Sequence, residues 1–328
     1  MIFKCKNCEG NVIYSPEKHA MFCPYCESEG SEERREYTES DLKICPNCGG
    51  EVPVEEHTSA TKCPYCDNYL ILNPRVEGEY TPALIIPFKL GKENCKETLR
   101  EKFKRCVFAP TDFLSEARLN SMEGDYVPFW FYDYDANCDF QGEGTKVRTW
   151  RSGNTEYTET SYYNVVRNMD VDFRKIPVDA SEKMPDDVMD LLEPYDYKGL
   201  EAFKPEFLSG FMGEKYNVVS SLVENRAEVK MESSVNKMMR ESYSNSYLNV
   251  RPVHNRISKR NSAAHFGLLP VWKYIYTYKD KQYPFYINGQ TGKIVGTAPI
   301  SAKKVWFYAG TIWACLVTIL AMLNVIVM

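Results

Sequence analysis

Between residues 80 and 300 the apolar positions switch repeatedly between two periods, and each switch marks an element. Ala83-Leu84-Ile85-Ile86-Pro87-Phe88 is a short unbroken apolar run, the length of a buried strand. From Asn94 to Cys106 the spacing turns helical, with Cys95, Leu99, Phe103 and Cys106 on one side and charges between them. Val127–Phe140 and Tyr157–Val166 alternate as strands do. Residues 186–212 read as helices interrupted by Pro194 and Pro205. Glu224–Tyr243 is the longest helical candidate, setting Val229, Ser233, Asn236 and Met239 against Lys230, Lys237 and Arg240. Met231, Met238 and Met239 fit core filler there. Gly267–Gly296 predicts a hairpin, with strands Val271–Tyr278 and Tyr283–Ile287 around Lys279-Asp280-Lys281, then a tight turn at Asn288-Gly289-Gln290-Thr291-Gly292. The pattern predicts an α+β domain with antiparallel strands over residues 74–300.

A weak repeat runs through this domain. Val127-Pro128-Phe129-Trp130-Phe131-Tyr132-Asp133-Tyr134 resembles Leu269-Pro270-Val271-Trp272-Lys273-Tyr274-Ile275-Tyr276 at an offset of 142. Two related half-domains, or merely two similar strands, would leave this trace.

The pattern changes at both ends of the chain. From Val305 to Val327 no residue is charged, and Trp306, Tyr308 and Trp313 cluster toward the start. A helix of that length spans about 35 Å at about 1.5 Å per residue, enough to cross a bilayer with some tilt. Asn324 is the one strongly polar side chain inside it. Residues 303–328 are therefore expected to be a single-pass membrane anchor. Lys303 and Lys304 precede it, and positive charge is retained on the cytoplasmic side.

At the other end stand four C-x-x-C pairs. Cys5, Cys8, Cys23 and Cys26 recur as Cys45, Cys48, Cys63 and Cys66, each displaced by 40. Paired C-x-x-C turns at this spacing are a strong zinc signal, because two such turns complete a tetrahedron of thiolates. Two tandem zinc ribbons are expected, over residues 1–30 and 43–73, joined by a charged linker at 31–42 and followed by a hinge at Asn73-Pro74 and Gly78. A unit of this size buries too little apolar surface to fold alone, so two structural Zn²⁺ ions are expected to supply its folding energy. No export signal precedes Cys5, so the cysteines are expected to be reduced and the body cytoplasmic. His19 and His57 occupy different positions of the repeat and are expected at the surface. Cys95, Cys106, Cys138 and Cys315 stand singly and are expected to be packed or idle.

Charge narrows the partner class. The chain carries a net −5, but residues 1–80 hold 8 Lys and Arg against 15 Asp and Glu. Each four-thiolate zinc site adds about −2. A nucleic-acid module needs a basic footprint, and this ribbon region has the opposite sign. The remaining candidates are thin. Asp133, Asp135 and Asp139 could gather a cation, although a solvated strand face explains them as well. Arg251, Arg256, Lys259 and Arg260 could face anionic lipid or lie in a solvated loop. Gly142-Glu143-Gly144 reads as a loop too short to cradle phosphate. His254 and His265 have no nucleophile or metal context, and no catalytic motif is present.

The ribbons, Tyr-Val-Pro-Phe-Trp-Phe-Tyr-Asp-Tyr at 126–134, Leu-Pro-Val-Trp-Lys-Tyr at 269–274, Asn-Gly-Gln-Thr-Gly-Lys-Ile-Val-Gly at 288–296 and the apolar tail form one pattern. Together they resemble the TFIIB-type zinc-ribbon membrane proteins of Gram-positive bacteria, over nearly the whole chain. That resemblance implies a neighbourhood with phage-shock-protein-A and flotillin-like (SPFH) proteins, and a role in recruiting them to the membrane during envelope stress. It supplies no catalytic residues. The expected function is a tail-anchored cytosolic scaffold that binds protein partners at the inner membrane face. The alternatives are a membrane-tethered nucleic-acid or transcription factor, and an enzyme housed in the tyrosine-rich domain. The sequence leaves the oligomeric state open.

Overall fold

The computed structural model describes residues 1–37 and 43–327, except for the side chains of 261, 262 and 322–327. In chain order the strands of the cysteine-rich region are β1 (Ile2–Cys5), β2 (Ile13–Ser15), β3 (Ala20–Phe22), β4 (Glu32–Arg35), β5 (Thr58–Lys62) and β6 (Tyr69–Ile71). Then come β7 (Leu84–Ile85), α1 (Lys92–Phe103), α2 (Glu116–Leu119), β8 (Glu123–Ser152), β9 (Thr155–Asp179) and α3 (Asp186–Leu192). The chain continues with β10 (Glu201–Ala202), β11 (Met212–Glu214), α4 (Ser220–Ser244), β12 (Asn249–Tyr278), β13 (Lys281–Asn288), β14 (Ile294–Val295) and α5 (Ala302–Val327). The class is α+β, as the alternation of periods predicts.

Two 30-residue strands, β8 and β12, run antiparallel through the centre of the sheet. Each spans about 100 Å at about 3.3 Å per residue. On its outer side β8 carries the short parallel strand β11 and then the hairpin return β9. On its outer side β12 carries the short parallel strand β7 and then the hairpin return β13. Val127 pairs directly with Leu269, its own counterpart in the weak repeat, so a local two-fold passes between them. The symmetry extends to side chains. Trp130 Nε1 donates to the Val218 carbonyl at 2.8 Å, and Trp272 Nε1 donates to the Leu90 carbonyl at 2.9 Å. Each of those carbonyls lies just ahead of a helix, α4 and α1 respectively. Tyr132 and Tyr134 pack under α4, while Tyr274 and Tyr276 sit in the core beneath α1. The two similar strands belong to two related half-domains.

Burial follows from which faces are covered. Near its start β8 is buried on both sides, with Tyr126 and Trp130 toward the helices and Val127, Phe129 and Phe131 toward α3. Beyond Tyr132, α4 is the cover among the described residues, and the pattern becomes alternating, with Tyr134, Ala136, Cys138 and Phe140 inside. Gly142 and Gly144 lie within this strand rather than in a loop. A side chain at Gly142 would meet the Arg251 carbonyl oxygen at 2.9 Å.

Several elements differ from the sequence pattern. The buried face of α4 is Ala227, Met231, Val235 and Met239, while Val229 and Met238 are exposed. Val229 stands two positions from both Ala227 and Met231, about 200° round the helix from each, and so faces solvent. Helix α1 stops at Phe103, so Cys106 is exposed in the next loop while Cys95, Leu99 and Phe103 are buried. The hairpin turn is two residues, Lys279 and Asp280, both at positive φ (51° and 60°), which matches the twist of the strands. Part of the charged linker is strand β4, paired with β1 and bridged by Arg35 to Glu9 at 2.6 Å. Linker residues 38–42 lie outside the described residues.

The expected hinge at 73–78 does not separate two bodies. Hairpin β5–β6 of the second cysteine unit continues the central sheet, with β5 pairing β11. The first unit docks without joining that sheet. Tyr14 N donates to the Ser209 carbonyl at 2.7 Å, and the Tyr14 ring meets Phe207 edge-on at 5.1 Å.

Candidate metal centres

Each C-x-x-C turn is built in the same way. The amide of the first cysteine donates to the carbonyl five residues on: Cys5 to Gly10, Cys23 to Ser28, Cys45 to Gly50 and Cys63 to Asn68. The carbonyl of that cysteine accepts from the amide four residues on, in Glu9, Glu27, Gly49 and Asp67. All four of these residues are left-handed, at φ 59°, 59°, 74° and 58°. Glycine is therefore one solution among several at this corner, and the hydrogen-bonded knuckle holds Glu and Asp there as well. The next position is stricter in the first knuckle of each unit, while the second knuckles carry Ser28 and Asn68 there. A Cβ at Gly10 would lie 2.6 Å from the Tyr25 ring, and one at Gly50 would lie 2.4 Å from the Tyr65 ring. Glycine here lets the tyrosine of the opposing knuckle close over the site.

The knuckles bring their sulfurs together as two groups, Cys5, Cys8, Cys23, Cys26 and Cys45, Cys48, Cys63, Cys66, each with all Sγ atoms within 4.8 Å of one another. Cys5–Cys26 and Cys8–Cys23 are 3.6 and 3.5 Å apart, and Cys45–Cys66 and Cys48–Cys63 are 3.6 and 3.7 Å. A tetrahedron with metal–sulfur bonds of about 2.3 Å has edges of about 3.8 Å. Both groups fit a single tetrahedral ion, and a disulfide, at about 2.05 Å, is excluded at these separations. Each of the two groups could hold a metal ion.

The surroundings of the two groups differ. Around the first, the Ser28 and Ser31 hydroxyls approach Cys5 Sγ at 3.3 and 3.4 Å and draw its thiol down to about 5. In the second, burial pushes the Cys45 thiol up to about 12, but each group mixes raised and lowered thiols, since Cys8 of the first rises to about 12 and Cys66 of the second falls to about 7. Lys4 links the two units. Its ammonium donates to Asn11 of the first at 2.7 Å and to Asn47, between Cys45 and Cys48, at 2.6 Å. This buried cation lies beside the second group, where it offsets part of the charge of four thiolates. His57 is half-buried with its Nδ1 enclosed and unpartnered, and His19 is exposed at the β2–β3 turn. Neither belongs to a metal group.

The chain is 38% identical over 317 residues to the protein named uncharacterized protein YdjG of Bacillus subtilis strain 168, covering 93% of this chain and 92% of that one. It belongs to the YdjG family. No protein-family model and no solved structure matches it significantly.

The other candidates of this YdjG-family chain do not converge. Asp133 accepts from the Lys175 amide at 2.7 Å and Asp135 pairs with Arg174 at 2.9 Å, so strand partners already engage the acidic row. The basic run divides between the two faces of β12. Lys259 turns toward α4 and pairs with Glu224 and Glu228, while Arg256 stands opposite Asp139 on the other face. Cys95 and Cys138 are buried, and Cys106 and Cys315 are exposed.

Sequence pattern missed three features. A cleft of about 430 Å³ opens where the first cysteine unit meets the sheet, walled by Tyr14, Phe22, Phe211 and Trp272 with Lys62 and Lys92 at its rim. Two acids sit within strands, Asp125 half-buried and Asp179 buried. Burial, reinforced by Glu214, raises Asp125 to about 7, and burial raises Asp179 to about 8. Both carboxylate oxygens of Asp179 are enclosed, and the Ser181 amide is the group that offsets part of the cost of burying their charge. Asp179 pairs with Phe129, and Asn288 pairs with Val271, the counterpart of Phe129 in the second half-domain. Asn288 satisfies its amide by accepting from Gln290 and Thr291 and donating to Leu192. The signal that finds Asp179 is its equivalence to Asn288, which requires the fold.

At the other end, α5 has the length and apolar composition to cross a membrane, and Ala302–Ala321 is not buried against the rest of the described chain. The side chain of Asn324 lies outside the description.

Proposed function

We propose that this chain is a membrane-anchored adaptor. Its two cysteine groups bind Zn²⁺ as structural ions, α5 spans the cell membrane, and the ribbon–sheet body binds a protein partner on the cytoplasmic side. The observation that carries the reading is the pairing of two complete tetrahedral thiolate sets with one unburied apolar helix. Four thiolates around one ion leave no coordination position for a substrate, so the metal serves shape rather than chemistry. Lys303 and Lys304 at the helix entrance support a cytoplasmic body. The anchor confines the module to the membrane surface and raises its effective concentration for partners there.

The resemblance to TFIIB-type zinc-ribbon membrane proteins supports a partner of the phage-shock-protein-A or flotillin-like class and a role in envelope stress. A nucleic-acid partner is disfavoured by the acidic ribbon region, near −11 with two four-thiolate sites at about −2 each. The basic run adds to this, because acids face it throughout: Lys259 pairs with Glu224 and Glu228, Arg251 and Arg256 stand opposite Glu143 and Asp139, and Arg260 lies 3.9 Å from Asp170. Crosslinking and capture of the full-length protein from native membranes, with and without nuclease, tests the reading. A membrane-associated protein recovered equally in both arms supports it, and loss of the captured material on nuclease treatment overturns it in favour of the nucleic-acid factor.

A further inference from the structure

The entrance of α5 is fixed to the body, with no free linker between them. Ser301, one residue before the helix, is buried, and its amide donates to the Phe108 carbonyl at 2.8 Å. Ala298 packs against the main core. The loop that receives this contact, residues 104–108, is tightly turned: Cys106 N donates to Phe103 O and Ala109 N to Cys106 O, both at 2.9 Å. Phe103 and Ala109 are buried at its two ends, and everything between them is exposed. Val107 and Phe108 thus project apolar side chains from a stiff support.

The depth of that tip follows from a ring contact. Phe108 meets Tyr308 edge-on, with centroids 5.5 Å apart. Tyr308 lies about 9 Å along the helix from Ala302, and about 5 Å inside the uncharged run that begins at Val305, at about 1.5 Å per residue. If the uncharged run marks the membrane, a side chain touching Tyr308 reaches the headgroup–acyl boundary. The flanking charges agree. Lys104, Arg105, Lys303 and Lys304 surround this point, and neither 102–111 nor 293–327 contains an acidic residue. A polybasic rim of this kind is attracted to anionic leaflets, and apolar side chains on a basic support are the composition of an interfacial contact.

We propose that the 104–108 loop is a second membrane contact: Val107 and Phe108 enter the acyl boundary, and Lys104, Arg105, Lys303 and Lys304 bind anionic lipid headgroups, seating the body on the bilayer. This rests on the reading of α5 as a membrane span. The test uses full-length, metal-loaded protein reconstituted into phosphatidylcholine vesicles with and without phosphatidylglycerol. A Val107→Cys substitution in a Cys106→Ser/Cys315→Ser background carries an environment-sensitive fluorophore, and Ser152→Cys at the far hairpin tip serves as the aqueous control. The expected result is blue-shifted emission at 107, quenched by shallow spin-labelled lipid, with a water-like probe at 152. A water-like probe at 107 in protein that floats with the vesicles overturns the loop contact and leaves the anchor standing. Failure to float overturns the anchor itself. Lys104→Glu/Arg105→Glu should weaken the shift in the phosphatidylglycerol vesicles only, and an equal weakening in both compositions, or none in either, overturns the headgroup assignment.

Discussion

The cysteine units and the sheet domain are each built from two copies of one motif, and different forces preserve the two duplications. In the cysteine units every ligand position is displaced by the same 40 residues. In the sheet domain the displacement drifts: Leu84 and Met212 are 128 apart, whereas Tyr126 and Leu268 are 142 apart. A tetrahedron of sulfurs tolerates little error, so spacing near it is held rigid. A sheet tolerates insertions between strands as long as the pairing survives. The extra length here goes largely into a helix, since α4 has 25 residues where α1 has 12. The longer helix covers the longer hairpin, β8–β9, while α1 covers the shorter β12–β13.

That contrast also sets what the sequence could reveal. The eight metal-ligand candidates are legible because coordination chemistry demands one residue type at fixed intervals. The central strands were legible in part, through Trp130, Tyr132 and Tyr134 and their counterparts Trp272, Tyr274 and Tyr276. The α4 face was misread because tertiary packing prefers Ala227 and Met231 over the more apolar-looking Val229. The joining of β5 to β11 could not be read at all. It depends on a pairing between residues about 150 apart, where neither short strand has a distinctive pattern.

The two cysteine units should respond unequally to loss of metal, and this is the largest effect expected. Metal binding contributes on the order of 10 kcal/mol in small zinc modules, comparable to the whole net stability of a domain. Cys45→Ser/Cys48→Ser should reduce the metal content from two ions to one and also destabilise the sheet, because β5 forms part of it. A fall of roughly 10 °C or more in the main thermal transition is expected, at about 2–4 °C per kcal/mol. Cys23→Ser/Cys26→Ser should remove one ion with a smaller shift, since no strand of the first unit enters the central sheet. Equal shifts in differential scanning calorimetry would break the comparison.

A smaller effect sharpens the comparison of the half-domains. Asp179 stands where the other half has Asn288, and its carboxyl is raised to about 8 from an unfolded value near 3.9. The folded state therefore holds a proton that the unfolded state releases, and stability is lost as pH rises between those two values. Asp179→Asn removes this cost. The variant should melt with the parent near pH 4 and increasingly above it as the pH rises toward 9. A constant difference across that range would show that Asp179 does not carry the proton.

The central claim is that both cysteine groups are complete four-thiolate metal sites. Elemental analysis of the purified full-length protein, combined with X-ray absorption at the metal edge, tests it most directly. The account predicts two zinc ions per chain, each with four sulfur neighbours at about 2.3 Å. One ion or none per chain, or nitrogen and oxygen neighbours in place of sulfur, would contradict it.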